Sequence, residues 1–283
     1  MRTDRETGGS IRTRRLDEFV REHRFTIAVV FPLVGAVVLV ASAEGLLPDP
    51  LAFNPLLVLV GTAVMRLPLI VGFLPVLDRH LAGAVLALVA YTYAIEFLGL
   101  TTGWPYGHFE YGVSLGPMVG GVPLALPLFF LPLVLNAVVL STLLVGAGDR
   151  RWPRRLALGV ALVITIDLVL DPAAVSIGFW SYATAGPYYD VPATNYAGWL
   201  LSGSIAVALL EGTLPRASLQ ARLRTCEFAL DDLVSFVLLW GGINALYGNW
   251  LPVGLAGVLL ASLLRTGRFD LASLARSTGP ADS

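Results

Sequence analysis

Eight apolar runs divide the chain, at 25–43, 55–77, 81–100, 121–146, 156–177, 197–214, 228–247 and 250–265. A transmembrane α-helix needs about 20 predominantly apolar residues, because each backbone N–H and C=O must find its partner within the segment. The pattern therefore predicts an all-α fold, a polytopic integral membrane bundle of about eight transmembrane helices. The last run, Trp250 to Arg265, is the shortest and follows a tight turn at Leu246-Tyr247-Gly248-Asn249. Composition agrees: 56% of the residues are hydrophobic and 14% charged, more apolar surface than a soluble domain hides.

The basic residues, all Arg, test this count independently. Cytoplasmic loops carry the Arg excess, and here Arg79, then Arg150, Arg151, Arg154 and Arg155, then Arg216, Arg222 and Arg224, then Arg265 and Arg268 fall on alternate connections. All share a side with the Arg-bearing N-terminus, whereas the connections at 44–54, 101–120 and 178–196 hold no Arg. Both termini are expected in the cytoplasm, with residues 1–24 an N-terminal tail, 25–266 the membrane domain and 267–283 a C-terminal tail. Ala41-Ser42-Ala43 resembles a signal-peptidase site, but the first run is longer than a signal core and further spans follow, so it is read as retained. A net charge of -1 gives no pull toward nucleic acid. The lone Cys226 allows no internal disulfide and reads as a buried thiol; no metal site and no cofactor are expected.

One stretch reads as a site rather than a span: EFLGLTTGWPYGHFEYGVSLGPMVGGVPLALP, from Glu96 to Pro127. Its loop gathers Trp104, Tyr106, His108, Phe109, Glu110 and Tyr111 between glycines and prolines that set turns. A second loop, GFWSYATAGPYYDVPATNY, has a similar character. Tyr111, Gly116-Pro117 and Val122-Pro123 run in the order of Tyr182, Gly186-Pro187 and Val191-Pro192. Glu96 precedes Tyr111 by the distance at which Asp167 precedes Tyr182, a weak sign of a duplicated helix hairpin. Trp and Tyr also form interfacial belts, but belt anchoring does not explain their concentration in two Gly- and Pro-rich loops.

Charges within the runs need a partner, a proton or a purpose, since one at mid-bilayer costs about 2.5–3.5 kcal/mol on the lenient insertion scale. Arg66, Glu96, Asp167, Asp171, Glu211, Asp231 and Asp232 all fall there. Glu211, Asp231 and Asp232 lie near cytoplasmic ends, where ion pairing is the expectation. Asp167 and Asp171 are one turn apart on one helix face; they either pair with Arg66 or cap a neighbouring helix, or they serve as proton donors in a low-dielectric cavity. Glu96 is the other candidate acid. Asn195 either caps the sixth span or holds a water, and His108 has no metal-spaced partner.

The blocks EFLGLTTGWPYGHFEYG, LGPMVGGVPLALP, DLVLDPAAVSIGFWSY and GPYYDVPATNYAGW together resemble the membrane-embedded carotenoid hydratases of the CruF type, over nearly the whole chain from about Arg21 to Arg265. The first run and the absence of Lys have a haloarchaeal character. The resemblance implies a cell-membrane enzyme of carotenoid biosynthesis that adds water across the terminal C=C bonds of a long acyclic carotenoid. In the haloarchaeal branch this converts the C50 bisanhydrobacterioruberin to bacterioruberin. Such hydration needs an acid, a stabilised tertiary carbocation and a delivered water, but no redox cofactor. On chemical grounds Glu96 or Asp171 is the acid and Asp167 a partner. Trp104, Tyr106, Tyr111, Trp180, Tyr182 and Trp199 are candidate substrate-binding residues whose ring faces can hold a cation, and Asn195, a second carboxylate or a Tyr hydroxyl can orient the water. The lipid-dissolved carotenoid is the expected partner, with room for other enzymes of the pathway. Two rivals stay open: a membrane prenyltransferase, for which Asp167-Leu-Val-Leu-Asp171 is a thin magnesium motif, and a transporter with proline-broken spans.

Overall fold

The computed structural model of the chain describes residues 3–146 and 148–267. Helices dominate. After α1 (Thr3–Glu22), a π-helical stretch (Thr26–Val30) leads into α2 (Phe31–Ala43). Then come α3 (Pro55–Phe73), α4 (Arg79–Thr102), α5 (Leu126–Val145), α6 (Trp152–Ser176), α7 (Ala193–Thr213), α8 (Arg216–Thr225), α9 (Asp231–Leu246) and α10 (Trp250–Arg265). Every expected apolar run carries a helix, and six of these are long and apolar enough to cross a membrane. The all-α membrane bundle is thus as expected. The tail expected beyond Gly267, with Arg268, lies outside the described residues.

Two boundaries differ from the hydropathy reading. The run at 121–146 opens on a short strand, β3 (Val122–Pro123), paired antiparallel with β2 (Met118–Val119), and its helix starts only at Leu126. The run at 228–247 becomes a helix of 16 residues beginning at Asp231, about 24 Å long at 1.5 Å per residue, so it falls short of a 30 Å core. It can be short because α9 is buried on nearly all sides, packed among α2, α3, α6 and α10. A helix apolar all round belongs inside a protein as readily as in lipid. The α10 helix, also of 16 residues, is the second short one. The N-terminal tail is helical and docked: Val20 is fully buried, and Asp17 pairs with Arg222 of α8 at 2.7 Å.

The helix starts are legible locally. Asn54 caps α3 by accepting from Leu56 N and Leu57 N, and Asp78 caps α4 by accepting from His80 N and Leu81 N. Gly103, in the left-handed region at φ 74°, ends α4. Centrally placed α6 packs against α5, α7, α9 and α10. It meets α7 closely because Gly159 and Gly203 carry no side chain there: a Cβ on either would sit 2.9 Å from Val207 or Val163 respectively.

Ion pairs fasten the opposite end from the aromatic loops. Glu211 of α7 accepts from Arg155 of α6 at 3.0 Å, and Asp231 of α9 accepts from Arg24 at 2.8 Å. Asp232 takes Arg66 of α3 at 2.6 Å, and Asn136 of α5 also donates to it. The three carboxylates set aside as paired are therefore paired. Cys226 lies 1% exposed after α8, and burial pushes its thiol up to about 11.

Candidate active site

Two helices end by presenting a carboxylate, and each is followed by a strand that brings a tyrosine back to it. Glu96 lies near the end of α4; the chain turns through Trp104–Gly107 and returns on β1 (Phe109–Tyr111), where the Tyr111 hydroxyl donates to Glu96 Oε1. Asp171 lies near the end of α6; the chain returns on β4 (Trp180–Tyr182), where the Tyr182 hydroxyl donates to Asp171 Oδ2 at 3.2 Å. The two strands pair antiparallel, with Phe109 opposite Tyr182 and Tyr111 opposite Trp180. Alternation then turns these four rings to one face, while Glu110 and Ser181 point away and are exposed. Equal spacing suggested Asp167 as the counterpart of Glu96; the tyrosine's partner is Asp171, one turn later.

A kink-prone residue is accommodated at the same place. Pro172 sits inside α6 and cannot donate to the Leu168 carbonyl. The Tyr188 hydroxyl from the second aromatic loop supplies that missing bond at 3.1 Å. Loop and helix end are thereby tied together beside Asp171.

Asn195 neither caps α7, whose N-cap is Pro192, nor stands alone. Its Nδ2 donates to Asp171 Oδ2 and, at 3.2 Å, to Asp167 Oδ2. Asp167 is fully buried and its Oδ1 has no hydrogen-bond partner among the described residues. Neither aspartate pairs with Arg66, which is held by Asp232. Burial, followed by the charge of the neighbouring carboxylate, pushes the Tyr111 and Tyr182 hydroxyls up from the ordinary tyrosine range, so both remain O–H donors.

A cavity of about 120 Å³ opens between these groups. Glu96, Asp171, Tyr106, Tyr111, Trp180, Tyr182, Asn195 and Trp199 all line it, so the structure assembles most of the residues singled out in the sequence. Asp167 stands behind Asn195 and Asp171, outside the lining. Trp104 is 54% exposed and also outside it. Tyr106 reaches the wall because Gly198 of α7 has no Cβ to meet its ring, and its hydroxyl shares a hydrogen bond with Ser202 at 2.7 Å. The sequence reading missed Phe129 and Phe130 of α5, Phe179, and Trp240 of α9. Phe130 stacks on Trp199 with centroids 5.5 Å apart, and Phe179 meets Trp240 edge to face. Nothing marks out Phe129, Phe130 or Trp240, since apolar residues inside an apolar run carry no contrast.

The site thus combines two hydrogen-bonded carboxyls with ring faces in a partly open apolar cavity, next to a further buried carboxylate. Residues 53–263 match the family described as carotenoid biosynthesis protein. The chain belongs to that family. The carotenoid biosynthesis family match spans both carboxylates and both aromatic loops. The chain is also 61% identical over 259 residues to bisanhydrobacterioruberin hydratase of Haloarcula japonica, covering 91% of this chain and 88% of that relative. No solved structure matches the chain. The resemblance to membrane carotenoid hydratases drawn from the loop motifs holds, and it favours carotenoid chemistry over prenyl transfer or transport.

Proposed function

We propose that this protein is a carotenoid hydratase of the cell membrane that adds water to the terminal C=C bonds of bisanhydrobacterioruberin, giving the tertiary alcohols of bacterioruberin. The observation that carries the reading is the pair of carboxyls, Glu96 and Asp171, lining one aromatic cavity in a chain 61% identical to a hydratase of that name. Both termini lie in the cytoplasm on this reading, from the Arg distribution.

Glu96 accepts a hydrogen bond from Tyr111 and faces the cavity; it is assigned as the general acid that protonates the less substituted alkene carbon. The positive charge then sits on the tertiary carbon, where the faces of Trp180 and Trp199 stabilise it, a contact worth about 2 kcal/mol when desolvated. Asp171, whose Oδ2 accepts from both Asn195 and Tyr182, is assigned as the base. It takes a proton from the attacking water as the C–O bond forms. Asp167, through Asn195, fixes the direction of Asp171. Trp104, outside the cavity, is given no role in this step. The proton consumed at Glu96 is balanced by the one released to Asp171, so the reaction is the net addition of water.

Pigment analysis by liquid chromatography and mass spectrometry tests the reading. Deleting the gene in its host leads to precursors lighter by one or two waters, and adding it to cells that accumulate the anhydro precursor converts them to tertiary alcohols. An unchanged pigment profile in both would overturn it.

A further inference from the structure

We propose that the apolar cavity between α2 and α3 is the channel that takes the stretch of polyene next to the carotenoid's end group while that end group lies between Glu96 and Asp171. The inference rests on the hydratase reading and extends it to substrate binding. The cavity at the carboxylates, about 120 Å³, is smaller than the roughly 300–1,000 Å³ of pockets that enclose a drug-sized ligand. It takes an end group; the rest of a long carotenoid must continue elsewhere.

The second cavity is larger, about 280 Å³, and shares Phe129, Phe179 and Trp240 with the first. These three side chains are the common wall of the two spaces. Phe179 links the two spaces, meeting Phe53 of the second cavity edge to face at 6.0 Å and Trp180 of the first at 6.3 Å. A conjugated chain crossing this wall would pass against the rings of Phe129, Phe179 and Trp240.

The lining suits a hydrocarbon and little else. Ser42 donates to the Val38 carbonyl at 2.8 Å and accepts from Phe53 N at 3.2 Å, and the Asn54 side chain caps α3. Their polar groups are spent on backbone, and Thr62 adds one further hydroxyl to a lining that is otherwise apolar, so a polar ligand finds few partners. At the mouth, Val34 of α2 and Leu57 and Val60 of α3 are each more than half exposed. On membrane-spanning helices such residues face lipid, so the cavity opens sideways to the phase in which a carotenoid dissolves. Gly61 of α3 lines it, and a Cβ there would meet nothing within 4 Å. That open position is where a larger side chain blocks the channel without displacing a neighbour.

The test measures retained pigment, independently of turnover. The full-length Glu96→Gln protein is purified in mild detergent from membranes that accumulate the anhydro precursor, alone and with Gly61→Phe added. Gly83→Phe serves as the control: it lies on α4 outside both cavities, and its Cβ would also meet nothing within 4 Å. Gly61→Phe is expected to lower retained carotenoid per protein by about tenfold, and Gly83→Phe to leave it unchanged. Carotenoid retained in full by Gly61→Phe would overturn the channel, as would an equal loss in both variants. Loss of co-purified phospholipid with carotenoid retained would assign the cavity to a lipid chain instead. If Glu96→Gln still hydrates the precursor, the assignment of the acid fails while the retention comparison still decides the channel.

Discussion

Arg66 is bound by Asp232, 2.6 Å away, and by neither aspartate of α6. This pairing leaves Asp167 and Asp171 without a cationic partner among the described residues, and it places the cost of a buried guanidinium on the α3–α9 contact. Removing one member of a buried pair typically costs about 3–5 kcal/mol, whereas replacing both by apolar residues is often neutral. Asp232→Asn should therefore lower the unfolding midpoint of the detergent-solubilised protein by about 10 °C. The double variant Arg66→Leu with Asp232→Leu should recover most of that loss. Thermal unfolding followed by size-exclusion chromatography checks both.

Tyr111 and Tyr182 serve different carboxyls from paired strands, so their hydroxyls can be removed separately. Hydrogen bonds to charged groups contribute about 1.5–3 kcal/mol. Tyr182→Phe should slow precursor conversion by about 10- to 100-fold, with expression and pigment retention kept. Tyr111→Phe should have an effect of similar size through Glu96. Conversion rates in isolated membranes decide it, and rates within twofold of wild type in both variants would deny the two bonds a role.

The bundle was legible because apolar runs and alternating Arg-bearing loops both follow from the cost of taking charge and unpaired backbone into lipid. Glu211 and Asp231 could be set aside correctly for the same reason, since their positions put Arg residues within reach. The aromatic loops were visible as concentrations of rings among turn-forming residues. What local sequence could not give was long-range pairing: β1 with β4, Asn195 across Asp167 and Asp171, and Arg66 with Asp232, 166 residues apart. Phe129, Phe130 and Trp240 were invisible because their runs are apolar on every side and show no inward face. The length of α9 was overestimated because hydropathy does not distinguish a helix buried in protein from one bathed in lipid.

Tyr188 and Pro172 form a pair whose coupling is measurable. Removing the Tyr188 hydroxyl leaves the part-buried Leu168 carbonyl without a donor, at a cost of about 1–3 kcal/mol. Pro172→Ala restores the backbone N–H that normally bonds that carbonyl. Tyr188→Phe should thus destabilise the wild-type protein but have little effect in the Pro172→Ala background. Equal losses in both backgrounds, from the same thermal unfolding assay, would deny the compensation.

Orientation is open to a direct check. A green fluorescent protein fused after Ser283 folds and fluoresces on the cytoplasmic side of a bacterial membrane. Bright fusions at the C-terminus, and dark ones inserted into the loop at 44–54, are expected from the Arg pattern. The reverse result would invert the topology and place the aromatic loops inside.

The central claim is that Glu96 and Asp171 together hydrate the terminal double bonds of a carotenoid. The most direct measurement is conversion of the anhydro precursor in isolated membranes containing isotopically labelled water, comparing wild type with Glu96→Gln and Asp171→Asn at matched protein levels. The account predicts tertiary alcohols carrying the label from wild type, and conversion at least about 100-fold slower in each variant. Labelled product formed at wild-type rates by both variants would contradict it.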